Sequence, residues 1–229
     1  MKTDKLSPAP KKRVLLVDDH PMMRQGLALL INQQSDLTMC CEAAAAAEAM
    51  RLIGTSKPDL AIVDLSLEGS SGLELIKDLQ ALHPEVPVLV MSMHDESLYA
   101  ERLLRAGARG YVMKQAGGET VLGAIRCVLS GRVYLSPKMS EKLLDSFTGR
   151  RPRGSNSPIE QLSDREFEIF ELLGEGKSTR EIARQLHLSP KTVDVHRSHI
   201  KRKLELKDSI SLIRYAVRWI ETEGSGDRP

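Results

Sequence analysis

The sequence predicts an α/β domain with a parallel sheet covered by helices on both faces, followed by a second, smaller all-α domain. Two observations carry this. Five short apolar runs, near 13–17, 38–42, 60–64, 87–91 and 109–113, alternate with helical patterns near 21–33, 44–54, 72–82, 96–106 and 119–130. From Gln161 onward the strand-like runs stop and the pattern becomes helical throughout. Strand–helix alternation of this spacing implies parallel strands joined by right-handed crossovers.

Turn signals separate the units of the first half: Gly54 with Pro58, Pro84 with Pro87, Gly107 with Gly110, and Gly117 with Gly118. The run Leu60–Val63 suits a strand buried on both faces. It ends in Asp64 and then in the loop LSLEGSSG. An ionised carboxylate resists burial unless it is paired or metal-bound, so Asp64 is expected at the strand's mouth, exposed enough to react. The first strand, Arg13–Val17, likewise runs straight into Asp18 and Asp19. The fourth ends at Ser92 and the fifth at Lys114.

In open parallel sheets function gathers at the carboxyl ends of the strands. Three carboxylates, a hydroxyl and an ammonium would therefore converge on one rim. Crowded carboxylates raise one another's pKa values unless a cation joins them, and Mg²⁺ binds few carboxylates while keeping sites for phosphate oxygens. Such a rim suits transfer of a phosphoryl group to a carboxylate. Taken singly, each of the five is equally an ordinary polar residue; their joint placement is what points to a site. His20 and His94 adjoin the rim without a partner at ligand spacing and read as surrounding or surface residues.

A chain of 229 residues accommodates two modest domains. No apolar stretch approaches the roughly 20 residues that span a bilayer, and the leader MKTDKLSPAPKKR lacks an apolar core, so no signal peptide and a cytoplasmic protein are expected. Cys40, Cys41 and Cys127 show no metal-ligand spacing; the adjacent pair, in an apolar run, reads as core thiols in a reducing compartment. Charge is unevenly placed. Residues 14–135 hold fifteen acids against ten bases, whereas 177–203 hold eight bases against two acids. A basic patch joined to an acidic domain points to a polyanion partner, although a solvated helix surface carries the same charge.

Ser136–Phe147 reads as a further helix and TGRRPRGSNSP as a linker. Ser163 with Glu166, and Ser178 with Glu181, form capping-box patterns, and Ser189–Pro190 opens a third helix. Asp208 opens a fourth, with Ile210, Ile213, Val217 and Ile220 as its apolar stripe. Only HLS separates the second from the third, which is helix-turn-helix spacing. On the third helix Val193, Ile200 and Leu204 share one arc, while Lys191, Val195, Ser198 and Arg202 lie opposite, flanked by Asp194 and His199. Basic side chains reach phosphates or guanine edges, and valine a thymine methyl.

The segments VLLVDDH, LAIVDLSLEGSSG, VLVMSMHD and RAGARGYVMK resemble the receiver domain of two-component response regulators, and LSDREFEIFELLGEGKSTREIARQLHLSPKTVDVHRSHIKRKL resembles the LuxR-type helix-turn-helix of the NarL/FixJ class. The resemblance implies a flavodoxin-like receiver over 11–133, a helix and linker over 134–160, and a DNA-binding domain over 161–223. It implies that Asp64 accepts phosphate from a sensor histidine kinase. Asp19, Asp64 and the carbonyl of Ser66 would bind Mg²⁺, with Asp18 assisting through water. Lys114 would contact the phosphoryl group, Ser92 would move to meet it, and Tyr111 would repack. The chain would then form a homodimer on two-fold DNA half-sites and work with RNA polymerase. Lys191 and Thr192 match phosphate-contacting positions, and Asp194, Val195, Ser198 and Arg202 match base-reading ones. Glu68 departs from the proline common in the family, and Thr179 from asparagine. The alternatives are an aspartyl-phosphate hydrolase, which needs its second acid two residues beyond the nucleophile, and a DNA binder indifferent to phosphorylation.

Overall fold

The computed structural model describes residues 10–67, 71–94, 96–147 and 158–224. The first nine residues of the leader, Glu68 and linker residues 148–157 lie outside them. The chain forms two compact units.

Over residues 12–129 the strands β1 (Lys12–Val17), β2 (Leu37–Ala43), β3 (Leu60–Asp64), β4 (Val88–Ser92) and β5 (Gly110–Met113) alternate with helices α1 (Pro21–Asn32), α2 (Ala46–Ser56), α3 (Gly72–Leu82), α4 (Glu96–Ala106) and α5 (Gly118–Leu129). All pairings are parallel, in the order β2-β1-β3-β4-β5. β1 and β3 are continuous apolar runs because both sheet faces are covered: Val14, Leu15, Leu16, Val17 and Leu60 to Val63 are all fully buried. Val14, Leu16, Leu60, Ile62, Leu89 and Met91 point to one face, where Leu27 and Ile31 of α1 and Val121, Ile125 and Val128 of α5 close over them. The order reverses between β1 and β3, and that switch point opens a crevice at the strands' carboxyl ends.

The second unit includes α6 (Pro137–Phe147), a short 3₁₀ turn (Pro158–Gln161), and helices α7 (Asp164–Gly174), α8 (Thr179–Gln185), α9 (Pro190–Lys203) and α10 (Ser209–Gly224). Both capping boxes form, at Ser163/Glu166 and Ser178/Glu181, and the Ser189 side chain caps α9 ahead of Pro190. The Ser211 N–H donates to Asp208 at 2.7 Å, so Asp208 caps α10. Between α8 and α9 the chain turns through His187 at φ 52°, a left-handed conformation that ends one helix abruptly enough to begin the next.

Two expectations are corrected. The stripe of α10 that faces the core is Leu212 and Ala216, both fully buried, with Tyr215 and Trp219 packing on the Phe170 ring; Ile210 and Ile213 are exposed. α10 is apolar on most of its circumference, and α7 selects the face on which it can come closest. Cys40 and Cys41 are half-buried, not core thiols, because β2 is an edge strand.

The close approach of α10 depends on Gly174. A Cβ there would lie 2.7 Å from the Ala216 carbonyl oxygen, which is backbone and cannot swing away. Gly174→Ala is expected to destabilise the second unit by about 1–3 kcal/mol, read as a lower denaturant midpoint by tryptophan fluorescence of Trp219.

Candidate functional site

The rim at the crevice is built by the strand ends. β1 delivers Asp18 and Asp19, β3 delivers Asp64, β4 ends in Ser92, and Lys114 follows β5. The Lys114 N–H donates to the Ser92 carbonyl at 2.8 Å, which fixes where its side chain leaves the sheet. Its Nζ lies 2.6 Å from Asp64 Oδ2 and 2.8 Å from Asp18 Oδ2. Asp64 Oδ1 accepts from the Ser66 N–H at 3.2 Å. The Arg24 guanidinium donates to the Asp18 carbonyl at 2.6 Å, holding the loop after β1.

Asp64 is 1 % exposed, so the expected exposed carboxylate at the strand's mouth is corrected. Lys114 supplies the countercharge that makes burial tolerable. Gly72, the first residue of α3, permits this closure: a Cβ there would collide with the Asp64 carbonyl oxygen. Ser92 is fully buried and meets Lys114 through its own carbonyl. Tyr111 is buried inside β5. His20, expected as a residue surrounding the rim or at the surface, has its Nδ1 2.7 Å from Asp19 Oδ1 and 3.2 Å from Asp18 Oδ1. Its position directly after the acid pair was the only sequence signal for this.

The second site candidate is the outer face of α9. Val193 and Ile200 are buried and Leu204 nearly so, while Lys191, Asp194, Val195, Ser198 and Arg202 are exposed. Thr192 is half-buried; its N–H and hydroxyl both meet the Ser189 hydroxyl, at 3.0 and 2.8 Å. Ser198 donates to the Asp194 carbonyl at 3.0 Å, and the Asp194 carboxylate lies 3.6 Å from Arg197. Arg197 in turn donates to Thr179 at 2.6 Å, tying α9 to α8. Sequence reading missed a strut behind this face. The buried Glu166 carboxylate of α7 accepts from Lys203 at 2.6 Å and from the Ser163 N–H at 2.8 Å, and these partners hold its carboxyl below the ordinary value despite burial.

The response regulator receiver domain family matches residues 14–126, and the luxR family of bacterial regulatory proteins matches residues 160–216. The oxygen regulatory protein NreC of Staphylococcus carnosus is 36 % identical over 210 residues, covering 90 % of this chain and 97 % of NreC. The chain belongs to the NarL/FixJ family of two-component response regulators. A LuxR-family response regulator from Aurantimonas shares 33 % identity over 61 % of this chain and 99 % of its own, with a TM-score of 0.56. Over 91 % of this chain and 98 % of its own, Salmonella typhimurium RcsB has the same fold, with a TM-score of 0.71 at 23 % identity.

This response regulator therefore joins a receiver to a LuxR-type DNA-binding domain and falls outside the catalytic enzyme families. No helix among its described residues is long and apolar enough to cross a membrane. In the receiver, Asp18, Asp19, His20 and Asp64 offer ligand atoms all within 4.8 Å of one another. Three carboxylates against one ammonium leave two negative charges over when His20 is neutral, and mainly hard oxygen donors suit a divalent ion such as Mg²⁺. The donor set fits that group.

Without a cation, burial pushes the Asp64 carboxyl above its ordinary value, and the Asp18 charge adds to the push, against the pull of Lys114 and the Ser66 N–H. Burial opposes the charge on Lys114 too, but its hydrogen bonds to Asp18 and Asp64 hold the ammonium above the ordinary lysine value. A carboxyl raised in the folded state contributes stability that is complete below its unfolded value of 3.8 and lost as pH rises through the folded value. In chelating buffer at pH 7, Asp64→Asn is therefore expected to be more stable than the parent. Thermal melts should show the gap closing as the pH falls toward 3.8.

Proposed function

We propose that Asp64 is the phosphoacceptor of this response regulator, loaded by a sensor histidine kinase, and that loading switches dimerisation and DNA binding. The observation that carries this is the Lys114 ammonium shared by Asp18 and Asp64 at 2.8 and 2.6 Å. An Asp64 oxygen attacks the phosphorus of a phosphohistidine. The P–N bond breaks, its electron pair stays with the imidazole nitrogen, and that nitrogen takes a proton.

Asp19, Asp64 and the Ser66 carbonyl would hold Mg²⁺, with Asp18 assisting through water and His20 beside the acid pair. When bound, the ion supplies positive charge that offsets the charge on the transferring group. Lys114 pairs with a phosphoryl oxygen once Asp64 is esterified, since one of its two carboxylate partners has then changed. The Ser92 hydroxyl is drawn toward the new charge, and Tyr111, buried two residues before Met113 at the end of β5, repacks with it. This biases a two-state equilibrium of the receiver.

The receiver over 11–133 then controls the DNA-binding domain over 161–223 through the joint over 134–160. The switched chain dimerises in the cytoplasm, places α9 in the major groove at two-fold related half-sites, and acts on RNA polymerase. Engaging two half-sites together raises affinity without new contacts, by a factor of about 10²–10⁴. Lys191 and Thr192, at the start of α9, approach backbone phosphate, where a helix N-terminus favours anions. Asp194, Val195, Ser198 and Arg202 read bases.

Acetyl phosphate with Mg²⁺ should convert the wild type from monomer to dimer in sedimentation velocity and tighten binding to a two-fold operator at least tenfold, leaving Asp64→Asn unchanged. An equal response from Asp64→Asn would overturn the reading. Lys191→Ala should weaken binding to all operators alike and reduce the slope of log affinity against log salt by about 1.

A further inference from the structure

β2 lies at the sheet edge and pairs with β1 alone. Its register carries an irregularity: Val14 is opposite Met39, but Leu15 is opposite Cys41, so Cys40 is an inserted residue. Paired residues in a parallel ladder share a sheet face. Met39, with Val14, packs on the core under α1 and α5. Leu15, between Val14 and Leu16 of that core, points to the opposite face, and Cys41 points with it. Cys40, next to Met39, also points away from the α1/α5 core. In a regular strand adjacent side chains diverge to opposite faces. The bulge cancels that alternation once and brings both thiols to the same face, with their Sγ atoms 3.3 Å apart and both residues half-buried.

What can two sulfurs on neighbouring residues do? A direct disulfide is disfavoured, because adjacent Cα atoms are held about 3.8 Å apart across a trans peptide. Unstrained disulfides need roughly 4.4–6.8 Å. A soft atom bridging the sulfurs leaves them near their present separation and avoids that strain. Soft thiol ligands select soft, thiophilic acceptors, and a three-coordinate pyramidal centre accepts two sulfurs at an acute angle.

We propose that Cys40 and Cys41 form a chelating dithiol site for trivalent arsenicals. With an organoarsenous oxide, two As–S bonds form, the As=O oxygen leaves with the two thiol protons as water, and arsenic stays trivalent. The second bond closes within the chain, so the adduct outlasts any formed with one thiol. Burial, and then the hydrogen bond with Cys41, pushes the Cys40 thiol up to about 12. Cys40 thus keeps its proton at neutral pH and resists single-site alkylation, whereas arsenical capture carries that proton off in water. Cys127, whose Sγ meets the Val133 carbonyl at 3.6 Å, provides the internal control.

The test treats full-length protein with phenylarsine oxide and follows intact mass. Wild type and Cys127→Ser should each gain one phenylarsenical that survives excess 2-mercaptoethanol and is stripped by ethanedithiol. Cys40→Ser and Cys41→Ser should lose theirs to the monothiol at least tenfold faster. Equal retention by Cys40→Ser, or loss from the wild type as fast as from the single variants, would overturn the proposal. Peptide mapping of the wild-type adduct needs no variant: arsenic bridging residues 40 and 41 supports the site, and arsenic on Cys127 refutes it.

Discussion

Two buried carboxylates, Asp18 and Asp64, share the ammonium of Lys114, and the receiver is arranged around that pairing. Either acid alone in the same place would be costly to ionise. The three residues lie far apart in sequence. They meet because β1 and β3 are neighbours at the point where the strand order reverses, and β5 follows one strand beyond β4. Sheet order, and no local motif, brings them together. Burial opposes ionisation of Asp64, and the pairing with Lys114 offsets that only in part.

The second unit answers a different demand, which is to hold one helix face still and open. Capping residues fix where α7, α8 and α9 begin. Glu166 and Lys203 fasten the far end of α9 to α7, Arg197 fastens its middle to Thr179 of α8, and Gly174 lets α10 close the core from behind. The ties through Lys203 and Arg197 use side chains from the inner face or flank of α9. Lys191, Val195 and Arg202 are left pointing outward, where a polyanion can reach them.

Much of this was legible in the chain itself. Apolar runs of strand length followed by helical patterning gave ten elements of the receiver with boundaries close to those observed, because a sheet buried on both faces leaves no polar alternation to confuse them. Ser163, Ser178 and Ser189 announced three helix starts for a local reason: the cap and the residue it serves are three apart. The misreadings all concern tertiary choices. Asp64 was expected to be open because a carboxylate resists burial, and the sequence placed Lys114 on the rim without showing that its ammonium pairs closely enough to make full burial tolerable. The apolar face of α10 covers more than half its circumference, so the approach of α7 decides that Leu212 and Ala216 go inward and Ile210 outward. The two thiols were expected in the core because they lie in an apolar run; that β2 is an edge strand with a bulge against β1 is set by sheet order and pairing and has no signature in LTMCCEA.

Phosphorylating the protein with acetyl phosphate, reducing it with borohydride and sequencing its peptides by mass spectrometry addresses the central claim most directly, since reduction turns an aspartyl phosphate into homoserine. The pairing of Lys114 with Asp18 and Asp64 predicts homoserine at position 64 alone. Homoserine at 18 or 19, or phosphate retained with no homoserine anywhere, would contradict it.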